Sequence, residues 1–178
     1  MSSFYTKAEL AELGLKSIGS NVLISKKCSL YSPQNITLGD NVRIDDFCIL
    51  SGNITIGSHV HIAAYCVLYG AYGIEIQDNC GLSARCTLYS QTDDFSGEFL
   101  VGVQFKEQQR NVLGGKITIE QFCQIGANCV ILPDITIHEG VAVGALSLVR
   151  TSLDSWTIYA GVPVKKINWR SKNMLQLL

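Results

Sequence analysis

Between Ile117 and Ile137 the chain reads ITIEQFCQIGANCVILPDITI, and Ile119, Ile125, Ile131 and Ile137 fall six apart. A helix repeats its apolar residues at three and four positions and a half-buried strand at two, so neither selects one position in six. A fixed longer period is instead the mark of an internal repeat. Stepping by six, with two-residue insertions allowed, gives three columns. The first is Ile18, Leu38, Ile56, Ile76, Ile119 and Ile137; the second is Ile24, Ile44, Ile62, Leu82, Ile125 and Val143; the third is Leu30, Leu50, Leu68, Leu88, Ile131 and Val149. Three units close one turn of the chain, and the columns stack six turns.

That register is chosen to fit aliphatics, so independent support must come from other residues. The seven cysteines supply it. Cys28, Cys48, Cys66, Cys80, Cys86, Cys123 and Cys129 each lie four residues after a column residue and two before the next. Random placement would put about one in six at such a site. Strand alternation turns both members of a pair such as Cys48 and Leu50 inward and the residue between them outward. The cysteines are therefore expected as small buried side chains in stacked corners. No CxxC pair supports a metal cluster or a disulfide ladder.

The repeating pattern, hydrophobic-small-x-x-small-x, resembles the hexapeptide repeat of left-handed parallel β-helices. The expected fold class is therefore all-β, a three-sided solenoid of short strands. The 178 residues make a single domain, 1–178. Within it we expect a capping helix over 6–14, a β-helix over 18–156 with an extruded loop at 93–116, and a C-terminal tail over 157–178. Stacked turns need closed ends. Thr6-Lys7-Ala8-Glu9 is a capping box that opens the helix, and Gly14 can end it.

Net charge is −1 and only 16% of residues are charged, so no nucleic-acid or membrane partner is implied. The N-terminal residues lack the basic flank and apolar core of a signal peptide. No apolar run reaches the ~20 residues of a membrane helix. With an odd cysteine count, this points to the reducing cytoplasm.

Outward residues divide by face. Thr37, Thr55, Glu75, Thr118 and Thr136 make a solvated first face. Arg43, His61, Gly81, Gln124 and Ala142 make a mixed second face. The third carries Ile49, Val67, Val130 and Leu148, an aliphatic stripe that is expensive in water. It is expected to pack against copies of itself in a homotrimer; a cover made by the chain's own loop or tail is the alternative. Within the loop, Phe95, Phe99, Leu100, Val101 and Phe105 are too apolar for a flexible linker, so it should fold against something beside a cleft.

Nearly the whole chain resembles the hexapeptide-repeat acyltransferases of the galactoside, maltose and chloramphenicol acetyltransferase type. The most specific stretch is 117–167, where Gly126, Pro133, Gly144, Ala145, Ser147, Gly161 and Pro163 hold family positions. The resemblance implies an acetyl-CoA-dependent acetyltransferase whose sites lie between the subunits of a trimer, with no metal. Acetyl-CoA would lie along the stacked turns. Gly126, Ala127 and Ala145 would let its pantetheine arm approach, Arg150, Lys165 and Lys166 would meet its phosphates, and Gly161 and Pro163 would form a turn near the adenine. The acceptor would be a sugar or nucleotide sugar, acylated on a hydroxyl or an amine, in bacterial surface polysaccharide synthesis (O-antigen, capsule or lipopolysaccharide).

Such transfer needs a proton acceptor and a donor for the oxyanion. Where the galactoside-type enzymes carry a loop histidine, this chain has Asp93, and Gln124 replaces the family tryptophan. Three sources of the base stay open. Asp93 is one, its affinity for a proton raised by burial or by Asp94. A second is His61 on the mixed face, with Asp93 and Asp94 orienting the acceptor. In the third, an amine nucleophile needs little help. His59 and His138 sit at corners and receive no role. With His61 they do not offer the spacing of a γ-type carbonic anhydrase zinc site. An antibiotic acetyltransferase and a non-catalytic scaffold remain as other readings.

Overall fold

A computed structural model describes residues 3–177. The three columns are the three inward rows of a parallel β-solenoid. On the first face Ile18, Leu38, Ile56, Ile76, Ile119 and Ile137 stand in register on successive rungs. On the second, Ile24, Ile44, Ile62, Leu82, Ile125 and Val143 do the same. The third runs Leu30, Leu50, Leu68, Leu88, Ile131 and Val149. Nearly all of these side chains are fully buried, with the first-turn residues Ile18 and Leu30 more open. Large aliphatics at each level thus fill a continuous, close-packed interior.

Corners decide where the chain bends. Asn21, Asn41, His59, Asn79, Phe122 and Trp156 turn one corner, and Phe47, Tyr65, Arg85, Asn128 and Leu146 the next; their φ values lie between +53° and +64°. Such a left-handed backbone costs a non-glycine residue roughly 1–2 kcal/mol. Asn tolerates it, and ring stacking offsets it elsewhere: Phe47 lies on Tyr65 at 4.9 Å and Phe122 near Trp156 at 6.3 Å. The corner geometry and repeat are consistent with a left-handed β-helix.

Six of the seven cysteines are buried, and Cys28 is half-buried. Each buried thiol lies beside a carbonyl of the following turn: Cys48 beside Ala63, Cys66 beside Ser83, Cys86 beside Gly126, Cys129 beside Gly144, Cys80 beside Glu120 and Cys123 beside His138, all at 3.0–3.1 Å. A weak donor in each corner thus meets a backbone acceptor. Burial, reinforced by neighbouring Cys48, pushes the Cys28 thiol up to about 12.

At the N-terminus, the helix Lys7–Glu12 has the reciprocal capping box of Thr6 and Glu9, and Gly14 follows it at φ +70°. At the other end the solenoid runs past 156. Thr157–Gly161 adds a seventh rung to the second face, with Ile158 and Tyr159 opposite Ala142 and Val143. It then folds back on Val164–Trp169 as an antiparallel hairpin. The aliphatic columns concealed this rung because its inward residue is Tyr159. Arg170 locks the hairpin by donating to the carbonyls of Phe122, Gly140 and Val141. The long loop leaves and returns as a short antiparallel pair, Gln91–Asp93 with Val112–Gly114. Its tip exposes Phe95 and Val103, 77% and 88% open in the single chain.

Candidate active site

Two clusters of polar chemistry stand outside the core. The first is on the second face, where His61, Gly81 and Gln124 are neighbours on consecutive rungs. They line a cavity of about 220 Å³ with Ala63, Ser83 and Ala84. His61 Nε2 is 2.7 Å from Asp45 Oδ2, and Arg43 Nε donates to the other oxygen at 2.7 Å. Burial raises the Asp45 carboxyl, but the hydrogen bonds from His61 and Arg43 outweigh it and hold the group below the usual carboxylate range. An anionic Asp45 therefore orients the His61 ring from the rung below.

The second cluster sits at the neck of the extruded arm. Asp93 Oδ1 accepts from Arg110 Nη2 at 3.0 Å. Arg110 and Val112, with Gln91 and Val103, border two adjoining cavities of about 430 and 220 Å³; Asp93 lines the smaller. Among the described residues, the buried Arg110 Nε has no partner. Asp94, by contrast, is engaged within the arm. It accepts from the Ser96 backbone and from Asn111 Nδ2, both at 2.8 Å, which holds its carboxyl below the usual range. Asp94 thereby ties the two sides of the arm together.

Within one chain, then, His61 and Asp93 line separate cavities. His59 pairs with Asn41 at 3.4 Å and His138 with Glu120 at 3.2 Å, away from His61. No three His, Cys, Asp or Glu residues among those described could hold a metal ion together.

The small-residue corner between the second and third faces links the first cluster to the C-terminal hairpin. Ala63, Ser83, Gly126, Gly144 and Ala160 each follow an inward residue there, and Ala64, Ala84, Ala127, Ala145 and Gly161 come next. Gly126 sits close under the next turn. A Cβ on it would fall 2.5 Å from Ala145 N and 2.8 Å from Val143 O, so its hydrogen makes room for the next turn of this same chain. Ala127 is half-buried, while Ala145 and Arg150 are exposed. Gly161, at φ +113°, turns the hairpin with Pro163, and its N–H donates to Ser147 Oγ at 3.0 Å. Lys165 and Lys166 lie on the returning strand, Lys166 Nζ 3.2 Å from the centre of the Trp169 ring.

Sequence reasoning missed Asp45, Ser83 and Arg110. The columns held a usable signal for Asp45, which follows Ile44 one rung below His61. Arg110 lies outside the repeat, where no periodicity places a residue.

Comparison with known proteins agrees with this geometry. Residues 35–70 and 116–151 match the family model for the bacterial transferase hexapeptide (six repeats). The chain is 38% identical over 178 residues to a dTDP-4-amino-4,6-dideoxy-D-glucose acyltransferase of Escherichia coli, spanning 98% of this chain and 93% of that protein. It also matches the crystal structure of AntD, an N-acyltransferase from Bacillus cereus, in complex with dTDP and 3-hydroxybutyryl-CoA. There the identity is 52% and the TM-score 0.98, covering 99% of this chain and 95% of that one. A shorter match, 39% over 66 residues, covers 35% of this chain and 34% of a putative lipopolysaccharide biosynthesis O-acetyl transferase, WbbJ, of Escherichia coli K12. The three-column solenoid, its corner residues and these similarities together establish that the chain belongs to the hexapeptide-repeat acyltransferases, enzymes that acylate sugars.

Proposed function

We propose that this enzyme transfers an acyl group from acyl-CoA to the amine of a nucleotide-linked amino sugar, in the making of a surface polysaccharide. The observation that carries the reading is the pair of incomplete half-sites on one chain, one built on His61 and one on Asp93. The relatives supply the substrate class: the Escherichia coli protein is named for a dTDP-4-amino sugar, and AntD binds dTDP and a CoA thioester. The donor is accordingly an acyl-CoA, of which acetyl-CoA is one member.

The half-sites meet in a homotrimer. Ile49, Val67, Thr87, Val130 and Leu148 line one outer face in register, and the exposed arm stands beside it. Packing that face against copies places the arm of one subunit over the second face of its neighbour. AntD variants altered at a serine and at an aspartate ten positions further along have been crystallised with CoA and dTDP. Ser83 and Asp93 have the same spacing here, one in each half-site, which supports a shared cleft. The CoA arm follows the corner past Ala127 and Ala145, and Arg150, Lys165 and Lys166 meet its phosphates near Gly161 and Pro163. The seven free thiols support a reducing, cytoplasmic setting.

In the reaction the sugar nitrogen forms a bond to the thioester carbonyl carbon and gives a tetrahedral oxyanion. The C–S bond then breaks, CoA leaves as thiolate, and the proton lost by nitrogen ends on sulfur. A neutral amine starts this without a strong base, so Asp93 serves to bind and orient the acceptor. With Nε2–H directed at Asp45, His61 keeps its Nδ1 lone pair to accept the ammonium proton and pass it on. The test is release of free CoA thiol on mixing acyl-CoA with dTDP-4-amino-4,6-dideoxyglucose. Release is expected with the amine present and not with the matched 4-hydroxy sugar; equal release with both would overturn N-transfer.

A further inference from the structure

The cavity at His61 owes its existence to one missing side chain. On the second face the outward positions of three consecutive rungs are His61, Gly81 and Gln124. At ~4.8 Å per rung, the backbones at His61 and Gln124 are about 10 Å apart, and Gly81 puts no side chain between them, so that the Gln124 amide reaches over it toward His61. Gly81 has no left-handed φ, so its backbone does not demand glycine. A Cβ there would instead come within 2.3 Å of Gln124 Oε1, because the amide of Gln124 leans into the gap. The glycine therefore keeps a hole open on the face. The rim combines apolar carbon, from Ala63 and Ala84, with polar groups on His61, Ser83 and Gln124.

The geometry points to this gap as the slot for the donor's acyl chain, sized by Gly81 and suited to a short chain with a hydroxyl that the Gln124 amide reads. The inference rests on the acyltransferase reading above and adds which atoms set the length and polarity of the acyl group. A thioester carbonyl beside His61 leaves its chain to run along the outer face toward Gln124. The span from His61 to the Gln124 amide over Gly81 takes a short chain whose far end meets that amide, whereas a plain acetyl group leaves the amide unused. A chain hydroxyl there gains a hydrogen bond that an unsubstituted butyryl lacks. A site built to bind a hydroxyl discriminates against the analogue without it, since its own polar group is left unpaired.

The experiment compares kcat/KM for acetyl-CoA, butyryl-CoA and 3-hydroxybutyryl-CoA at fixed amino-sugar nucleotide, in wild type, Gly81→Val and Gln124→Leu. Gly81→Val is expected to lower kcat/KM for both four-carbon donors at least about tenfold more than for acetyl-CoA, with the KM of the acceptor unchanged. Gln124→Leu should remove the preference for 3-hydroxybutyryl over butyryl while leaving the length preference. Because the clash in Gly81→Val is with the free end of Gln124, that variant should keep its melting temperature, and Gln124→Leu tests the slot without touching Gly81. Equal losses for all three donors, or a raised acceptor KM, would assign the gap to the acceptor and overturn the slot while leaving the transferase intact. Absence of transfer by wild type with every donor would remove the underlying reading and the slot with it.

Discussion

His61 Nε2 stands 2.7 Å from Asp45 Oδ2, so an exposed imidazole is held by a carboxylate from the rung beneath it. Arg43 holds the same carboxylate from the other side at 2.7 Å. If this ring relays the proton of the attacking amine, His61→Asn should lower kcat by about 10²-fold with the KM for acyl-CoA unchanged. Asp45→Asn should lower it less, through loss of ring orientation alone. Steady-state kinetics check both; an unchanged kcat in His61→Asn would leave the amine to react unaided.

Gly126 and Ala145 are both small, yet they should respond differently. A methyl on Gly126 meets backbone of the next turn, so Gly126→Ala should destabilise the fold by roughly 1–3 kcal/mol. Ala145 is exposed on the corner assigned to the CoA arm, so Ala145→Val should keep the melting temperature and raise the KM for acyl-CoA about tenfold. Paired thermal melts and kinetics separate the two effects.

The thiols give a test of the stacked corners. Cys28 is half-buried and the other six are enclosed. Native protein treated with a thiol reagent should label Cys28 first and the rest only as fast as the solenoid opens, whereas denatured protein should label all of them at once. Mass spectrometry of labelled peptides reads the order. Fast labelling of Cys66 or Cys123 in the native state would contradict the packing.

Acid should loosen the N-terminal cap. Glu9 is lowered from an ordinary 4.5 to about 2, chiefly by Lys26 Nζ at 2.6 Å and then by Thr6. A depressed carboxylate stabilises fully above its unfolded value and loses that contribution as pH falls toward its folded value. The melting temperature of wild type should therefore exceed that of Glu9→Gln at pH 6 and converge with it near pH 2. Because the pair is exposed, added salt should narrow the gap at pH 6.

The inward rows could be read from the chain because a solenoid stacks like on like. A period of six fixed Ile56 over Leu38 and placed Cys129 in its corner before any contact was known. The same regularity leaves two readings of Gly126 open, because glycine in a cofactor corner and glycine under a neighbouring turn leave the same trace. Tyr159 hid the last rung by replacing an aliphatic. Arg110 was invisible for a different reason: it pairs with Asp93 across a hairpin of non-repeating sequence, and only the folded arm sets their distance. The proposed meeting of Asp93 with His61 calls for a second copy, and no spacing within one chain would encode it.

The most direct test of that shared cleft is complementation between subunits. His61→Ala and Asp93→Ala would be purified separately, unfolded, mixed and refolded together, and assayed for CoA release against the same variants refolded alone. The account predicts that each variant alone is strongly impaired and that the mixture recovers a substantial part of wild-type activity, from interfaces that pair an intact His61 with an intact Asp93. A mixture no more active than the two variants alone would contradict it.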